Sequence, residues 1–157
     1  MLTWRPGEGW AKLPGFDDVS GPNGVITTKD GTGFHVAALS GREPITARFD
    51  ELPKITRQSV EFPPDNLNWG ADGKTILVGG TTATIAEARG CFGSDAVNCP
   101  ELGGWIDRWD PETGTVNHVL QRGVYGELGA FTFGTRVGDE IWIATFRGNR
   151  IGVIPAQ

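Results

Sequence analysis

Few side chains here have both the type and the spacing to do chemistry. Asn23 and Asp65 each stand eight residues ahead of a turn glycine, Gly31 and Gly73, and Asn66 follows Asp65 directly. Both positions precede runs of β-forming residues, so each is expected at the entrance of a strand. Where such entrances converge, one carboxylate and two amide oxygens meet. These are hard donors, suited to calcium and poor for soft metals. Calcium takes about six to eight oxygens, so the three need water or further protein groups to complete a shell. Asn and Asp ahead of a strand are also plain turn formers, because they tolerate left-handed backbone and bond their own main chain.

The other candidates are weaker. His35 lies mid-strand among apolar neighbours, which fits a core or channel-wall histidine better than a catalytic one. His118 falls on a polar outer run and is expected at the surface. Glu127 stands near a strand entrance, where a solvated loop residue is the simpler reading. Cys91 and Cys99 sit eight apart in a Gly/Ser/Asn-rich segment. They either close a small loop, which implies a periplasmic or extracellular setting, or remain free thiols. With two histidines elsewhere they make a poor zinc site. Trp69, Trp105, Trp109 and Trp142 lie on expected strands, where packing between sheets explains them. No Gly-rich loop joins a strand to a helix, and no Gly-x-Ser-x-Gly elbow is present, so nucleotide and serine-hydrolase chemistry lack their motifs.

The elements that must position these residues follow from composition and pattern. The 157 residues suit one domain, and 24 Gly with 10 Pro argue against a helical bundle. Lys and Arg number 14 against 19 Asp and Glu, a net charge of −5 with no basic run, which disfavours nucleic-acid binding. Apolar stretches reach only four or five residues, so none is a membrane-spanning helix, and MLTWRPGEGW has neither the basic start nor the apolar core of a leader.

A unit of strand, tight turn and more apolar strand occurs three times. Gly24–Thr28 leads to Phe34–Leu39, Leu67–Trp69 to Thr75–Gly79, and Ala130–Phe133 to Ile141–Phe146. A third run follows each pair, and a polar fourth run follows twice. Gly31 and Gly73 lie 42 apart, whereas Gly73 to Gly138 is 65, the surplus being an insertion around residues 81–103. Four strands per repeat of about 40–45 residues is the pattern of β-propeller blades. The boundaries fall near 1–20, 21–62, 63–123 and 124–157, a single half-propeller domain of about three blades. Closed propellers have about four or more, so either two copies of the chain complete a six-bladed ring or the chain is half of something larger.

Ser20-Gly21-Pro22-Asn23-Gly24-Val25, Pro63-Pro64-Asp65-Asn66-Leu67-Asn68-Trp69 and Ile141-Trp142-Ile143-Ala144-Thr145-Phe146 resemble one superfamily. It is that of the six-bladed senescence-marker-protein gluconolactonases, paraoxonases and strictosidine synthase-like proteins. The resemblance is to the C-terminal half and covers nearly the whole chain. It implies a calcium-dependent hydrolase of lactones or aryl esters. In that reading Asn23, Asp65 and Asn66 are calcium ligands, and Asp65 is also the general base. The family's other ligands and the paraoxonase histidines have no counterpart here. Two-fold closure would bring two copies of each ligand to one mouth. The alternative is a non-catalytic half-propeller that binds a ligand or partner.

Overall fold

The computed structural model describes residues 1–123 and 128–156, and Glu127 lies outside them. Strands β1 (Leu2–Arg5) and β2 (Gly9–Lys12) pair as a ribbon. A four-stranded antiparallel sheet follows, from β3 (Pro22–Thr27), β4 (Gly33–Ala38), β5 (Glu43–Arg48) and β6 (Ile55–Arg57). The next comprises β7 (Pro64–Trp69), β8 (Ile76–Thr81), β9 (Gly104–Trp109) and β10 (Val116–Gly123). A three-stranded sheet holds β11 (Phe131–Val137), β12 (Glu140–Thr145) and β13 (Gly152–Pro155). Consecutive strands pair in every sheet, which is the all-β arrangement of propeller blades. One helix, α1 (Ile85–Phe92), interrupts the pattern between β8 and β9.

Chemistry of the turns explains the regular spacing. Asp30 accepts from the backbone N–H of Thr32 at 3.0 Å, and Gly31 supplies the positive φ that the turn needs. Asp72 does the same for Lys74 and Thr75, both at 2.9 Å, ahead of Gly73. Each aspartate thus ends one strand and starts the next.

Strand alternation divides the core. On β8, Ile76 and Val78 join Trp105, Trp109 and Phe62 in the cluster toward the first sheet. Leu77 joins Ile106, Phe131, Ile141 and Ile143 toward the third. On β4, Phe34, Val36 and Ala38 pack with Phe16 and Ile45, while Ala37 faces the second sheet. This explains why the second strand of each unit reads as an unbroken apolar run: both faces are covered. The first runs also read as continuous and apolar, which predicts burial on both faces, and β3 departs from this. β4 and β8 are buried throughout, whereas β3 exposes Asn23, Val25 and Thr27, because the first strand is a sheet edge with one hydrogen-bonded neighbour. Trp69, Trp105 and Trp109 pack between sheets as expected, but Trp142 is 38% exposed on β12.

Every first strand carries a bulge near its entrance. In β3, Asn23 and Gly24 fall between the pairs Pro22–Ala38 and Val25–Val36; in β7, Asp65 is the extra residue, and in β11, Thr132. Counting back from Gly138 reaches Ala130 as the third equivalent of Asp65. The structure corrects this to Thr132, because only two residues separate Val137 from Glu140, against six between Trp69 and Ile76.

β3 and β7 meet at Gly24. A Cβ there would stand 2.6 Å from the Asp65 carbonyl oxygen and 2.8 Å from Asn66 Cα, so no side chain fits. Gly24→Ala is expected to cost about 1–3 kcal/mol, the usual penalty of overpacking. Gly90→Ala on α1, whose Cβ meets nothing within 4 Å, should instead gain up to about 1 kcal/mol of helix propensity. Urea unfolding of the two variants checks this, and equal effects would remove the close-approach argument.

Candidate functional site

The bulge in β7 places Asp65 at the strand entrance with its side chain half-buried. Asn66 holds it there: its Nδ2 donates to Asp65 Oδ1 at 2.8 Å and to the Thr132 carbonyl at 3.1 Å. One amide group thus ties the second sheet to the third and fixes the carboxylate between them. Asp65 Oδ2 accepts from no described residue. The Asn66 oxygen lies toward Gly24, 3.0 Å from where a Cβ would be.

Asn23 and Asp65 line one cavity of about 520 Å³. Its walls include Arg42, Thr81, Phe92 and Phe146. Asn66 is not on the cavity surface but stands behind Asp65, so the structure brings two of the three expected residues to a common space and gives the third a positioning role. Asn23 is exposed at the rim.

Helix α1 contributes Ala88 and Phe92 to the cavity and had no counterpart in the strand pattern. Thr84 caps it: Glu87 N–H donates to Thr84 Oγ1 at 3.2 Å, and Thr84 N–H donates to Glu87 Oε2 at 2.7 Å, a full capping box. Cys91 and Cys99 are joined, with Cα atoms 6.0 Å apart, and both are buried. Arg147 donates to the Cys91 and Ser94 carbonyls, and Phe92 packs against Phe146 in a tilted pair with ring centroids 4.8 Å apart. These contacts anchor the insertion beside the third sheet. The Thr84-x-x-Glu87 pair was the one sequence signal for this helix.

Burial raises the Asp65 carboxyl above its ordinary value. It is therefore a better base than a solvated aspartate. As a calcium cradle the residues fit in kind but not in number. Asp65 is the sole carboxylate lining the cavity among the described residues, joined by amide and hydroxyl oxygens. No cluster of three or more His, Cys, Asp or Glu among the described residues could hold a metal. The chain thus offers part of a calcium shell, and no catalytic step is assigned to the ion.

Both histidines lie elsewhere. His35 is 3% exposed, bonds Thr46 Oγ1 through Nδ1 at 2.9 Å and sits edge-on to Trp69 and Trp109. Burial pushes its pKa down to about 4, so it is neutral at physiological pH. His118 is exposed on β10, as expected, and its Nδ1 bonds the buried Asp107 Oδ1 at 2.8 Å, which also accepts from Trp105 Nε1 at 2.7 Å. That network clips β10 to β9.

No family profile and no curated protein sequence matches this chain. Solved structures do. A candidate 6-phosphogluconolactonase from Bacteroides fragilis is 19% identical, with a TM-score of 0.52, covering 98% of this chain and 38% of its own. Kuenenia stuttgartiensis hydrazine synthase is 17% identical, with a TM-score of 0.48, covering 78% and 31%. A candidate 6-phosphogluconolactonase from Bacteroides uniformis is 18% identical, with a TM-score of 0.39, covering 85% and 50%. The chain spans about a third of the length of the first two. At such identities the likeness to the Bacteroides fragilis protein speaks to the fold.

The raised Asp65 also has a thermodynamic consequence. The native state binds this proton more tightly than the unfolded chain, whose value is 3.8. Stability is therefore lost as pH rises from 3.8 through the folded value, and at neutral pH the ionised group opposes folding. Asp65→Asn should raise the thermal midpoint at neutral pH, the gain disappearing well below pH 3.8. A midpoint unchanged across that range would mean that the cavity solvates the carboxylate as water does.

Proposed function

We propose that this chain is a lactonase-like hydrolase of lactones or aryl esters, with Asp65 as its water-activating group. One observation carries the reading: a half-buried carboxylate of raised basicity, held on one oxygen by Asn66, lines a cavity of substrate size beside Asn23. Asp65 Oδ2 accepts a proton from water as the oxygen of that water adds to the substrate carbonyl. The acyl–oxygen bond then breaks, and the leaving oxygen takes up a proton, giving a hydroxy acid from a lactone. The Asn23 amide can donate to the carbonyl oxygen as charge develops on it. Phe92, Phe146 and Leu39 supply the apolar walls for the rest of the substrate. A fold shared with a candidate lactonase agrees with this reading.

Calcium belongs to the proposal as a partly supplied site. Of the expected ligands, Asn23 and Asp65 face the cavity while Asn66 holds Asp65 from behind, and the remainder of the shell must come from outside the chain. Bound calcium would supply Lewis-acid polarisation of the carbonyl. The proposed partner is a second copy of the chain. The β1–β2 ribbon leaves Leu2, Trp4 and Trp10 exposed, with Trp4 and Trp10 opposite one another. On the third sheet Ile151 and Val153 are exposed as well. Apolar surface of this kind is suited to burial against a partner, and exchange of the ribbon onto the third sheet of the other copy would cover both.

A non-catalytic binding module is the second reading, favoured by the single carboxylate in the cavity. Hydrolysis of a neutral lactone and of phenyl acetate separates the two. Asp65→Asn should lower kcat/KM by about 100-fold or more, the usual worth of a general base, with the fold retained by circular dichroism. A chelator should abolish activity and added calcium restore it. Hydrolysis that survives Asp65→Asn would exclude this mechanism. Light scattering should give twice the 16.8 kDa of one chain; a monomer would remove the second-copy proposal.

A further inference from the structure

Arg42 occupies a position where local geometry favours a different residue. It lies in the tight turn between β4 and β5 with φ of 54°, left-handed backbone that Gly or Asn adopts at least cost. The turn is held from both sides: Arg42 N–H donates to the Leu39 carbonyl at 3.3 Å, and Val60 N–H donates to the Arg42 carbonyl at 2.9 Å. A non-glycine residue kept in such a conformation points from strain toward function.

The side chain explains what is gained. Arg42 lines the Asp65 cavity and is the only cationic residue among its described lining. Its guanidinium makes one long bond, from Nη1 to the Glu61 carbonyl at 3.3 Å. Among the described residues no carboxylate lies within 4.0 Å of it. By contrast, Arg48 and Arg57 are both paired with carboxylates, at 2.8 Å to Asp30 and 2.7 Å to Asp18. An unpaired guanidinium presents a planar fork of N–H donors whose geometry matches a carboxylate or phosphate. It does so here on a chain of net charge −5, where an anion needs a local cation to be held at all.

We propose that Arg42 is the anion-recognition residue of this cavity, selecting substrates that carry a carboxylate or a phosphate away from the carbonyl attacked. The inference rests on the Asp65 reading for what is hydrolysed, while anion binding at Arg42 stands apart from it. The group it recognises is a monoanionic or dianionic oxyanion.

The test reads binding and turnover separately. ¹⁵N-labelled protein is titrated with methyl phosphate and with acetate, following the Arg42 Nε–H resonance in the wild-type protein and the backbone amides of the turn before β5 in every variant. A saturable shift is expected with at least one of them; phosphate alone assigns phosphorylated substrates, acetate alone carboxylated ones, and both assign either. Arg42→Gln should weaken that binding by about tenfold or more, and Arg42→Lys should restore part of it, since charge returns without the fork. Arg42→Gly guards against misfolding, because it relieves the backbone while removing the same donors. On a lactone bearing an anionic group, Arg42→Gln should raise KM by about tenfold or more beyond any change it causes for a neutral lactone, with kcat changing in parallel for the two substrates. No saturable shift in the wild-type protein, or wild-type affinity retained in both Arg42→Gln and Arg42→Gly, overturns the proposal. Anion binding without hydrolysis of any lactone would sink the Asp65 reading and leave this one standing.

Discussion

The approach of β3 onto β7 at Gly24 governs how everything else is placed. With no side chain at that point, two sheet edges pack backbone to backbone, and the Asp65 carbonyl and Asn66 Cα fill the space a Cβ would take. Each first strand accommodates the crowding with a bulge near its entrance. A bulge bends the strand and re-aims the residue it adds. In β7 that residue is the carboxylate. Site and fold are thus one arrangement here, since what seals the sheets together also turns Asp65 toward the cavity.

Burial of a carboxylate opposes folding, and this chain surrounds Asp65 with fixed contacts rather than with countercharge. Asn66 neutralises one lone pair through a neutral amide and bonds onward to Thr132. The cation in the cavity, Arg42, sits on another turn and is held by its own backbone bonds. An ion pair between the two would have lowered the basicity of Asp65 and occupied the fork of Arg42. Keeping them as separate groups on separate sheets preserves the chemistry of both. The insertion carrying α1 then closes part of the mouth, anchored by its cap, its disulfide and the Arg147 bonds to Cys91 and Ser94.

Much of the architecture was legible in the chain. Asp-Gly turns followed by apolar runs marked the strands, because an Asp side chain that bonds the backbone two residues on leaves the same trace in every unit. The convergence of Asn23 and Asp65 followed from their equal distance to those turns. Three features escaped. α1 is eight residues long and contains a glycine, so its periodicity is too short to register, although its capping box was visible. The bulges leave no compositional mark, which is why Ala130 stood in for Thr132. Arg42 carries no mark in the sequence, since its left-handed backbone and shared cavity exist only after β4 and β5 have paired.

The division of β8 between two cores bears on how faithfully the chain can fold. A strand with one buried face is corrected from one side: slipping by a residue exposes its apolar set to water. In β8 the same slip would push Leu77 into the space of Ile76 and Val78 and drag those two into the space of Leu77. Neither face would meet solvent, so water offers no proofreading. Shape must do it instead, through the bulky Trp105 and Trp109 on one side and the branched Ile141 and Ile143 on the other. Assembly of the middle sheet is therefore policed by volume, and its neighbours act as the moulds that hold it to a single alignment.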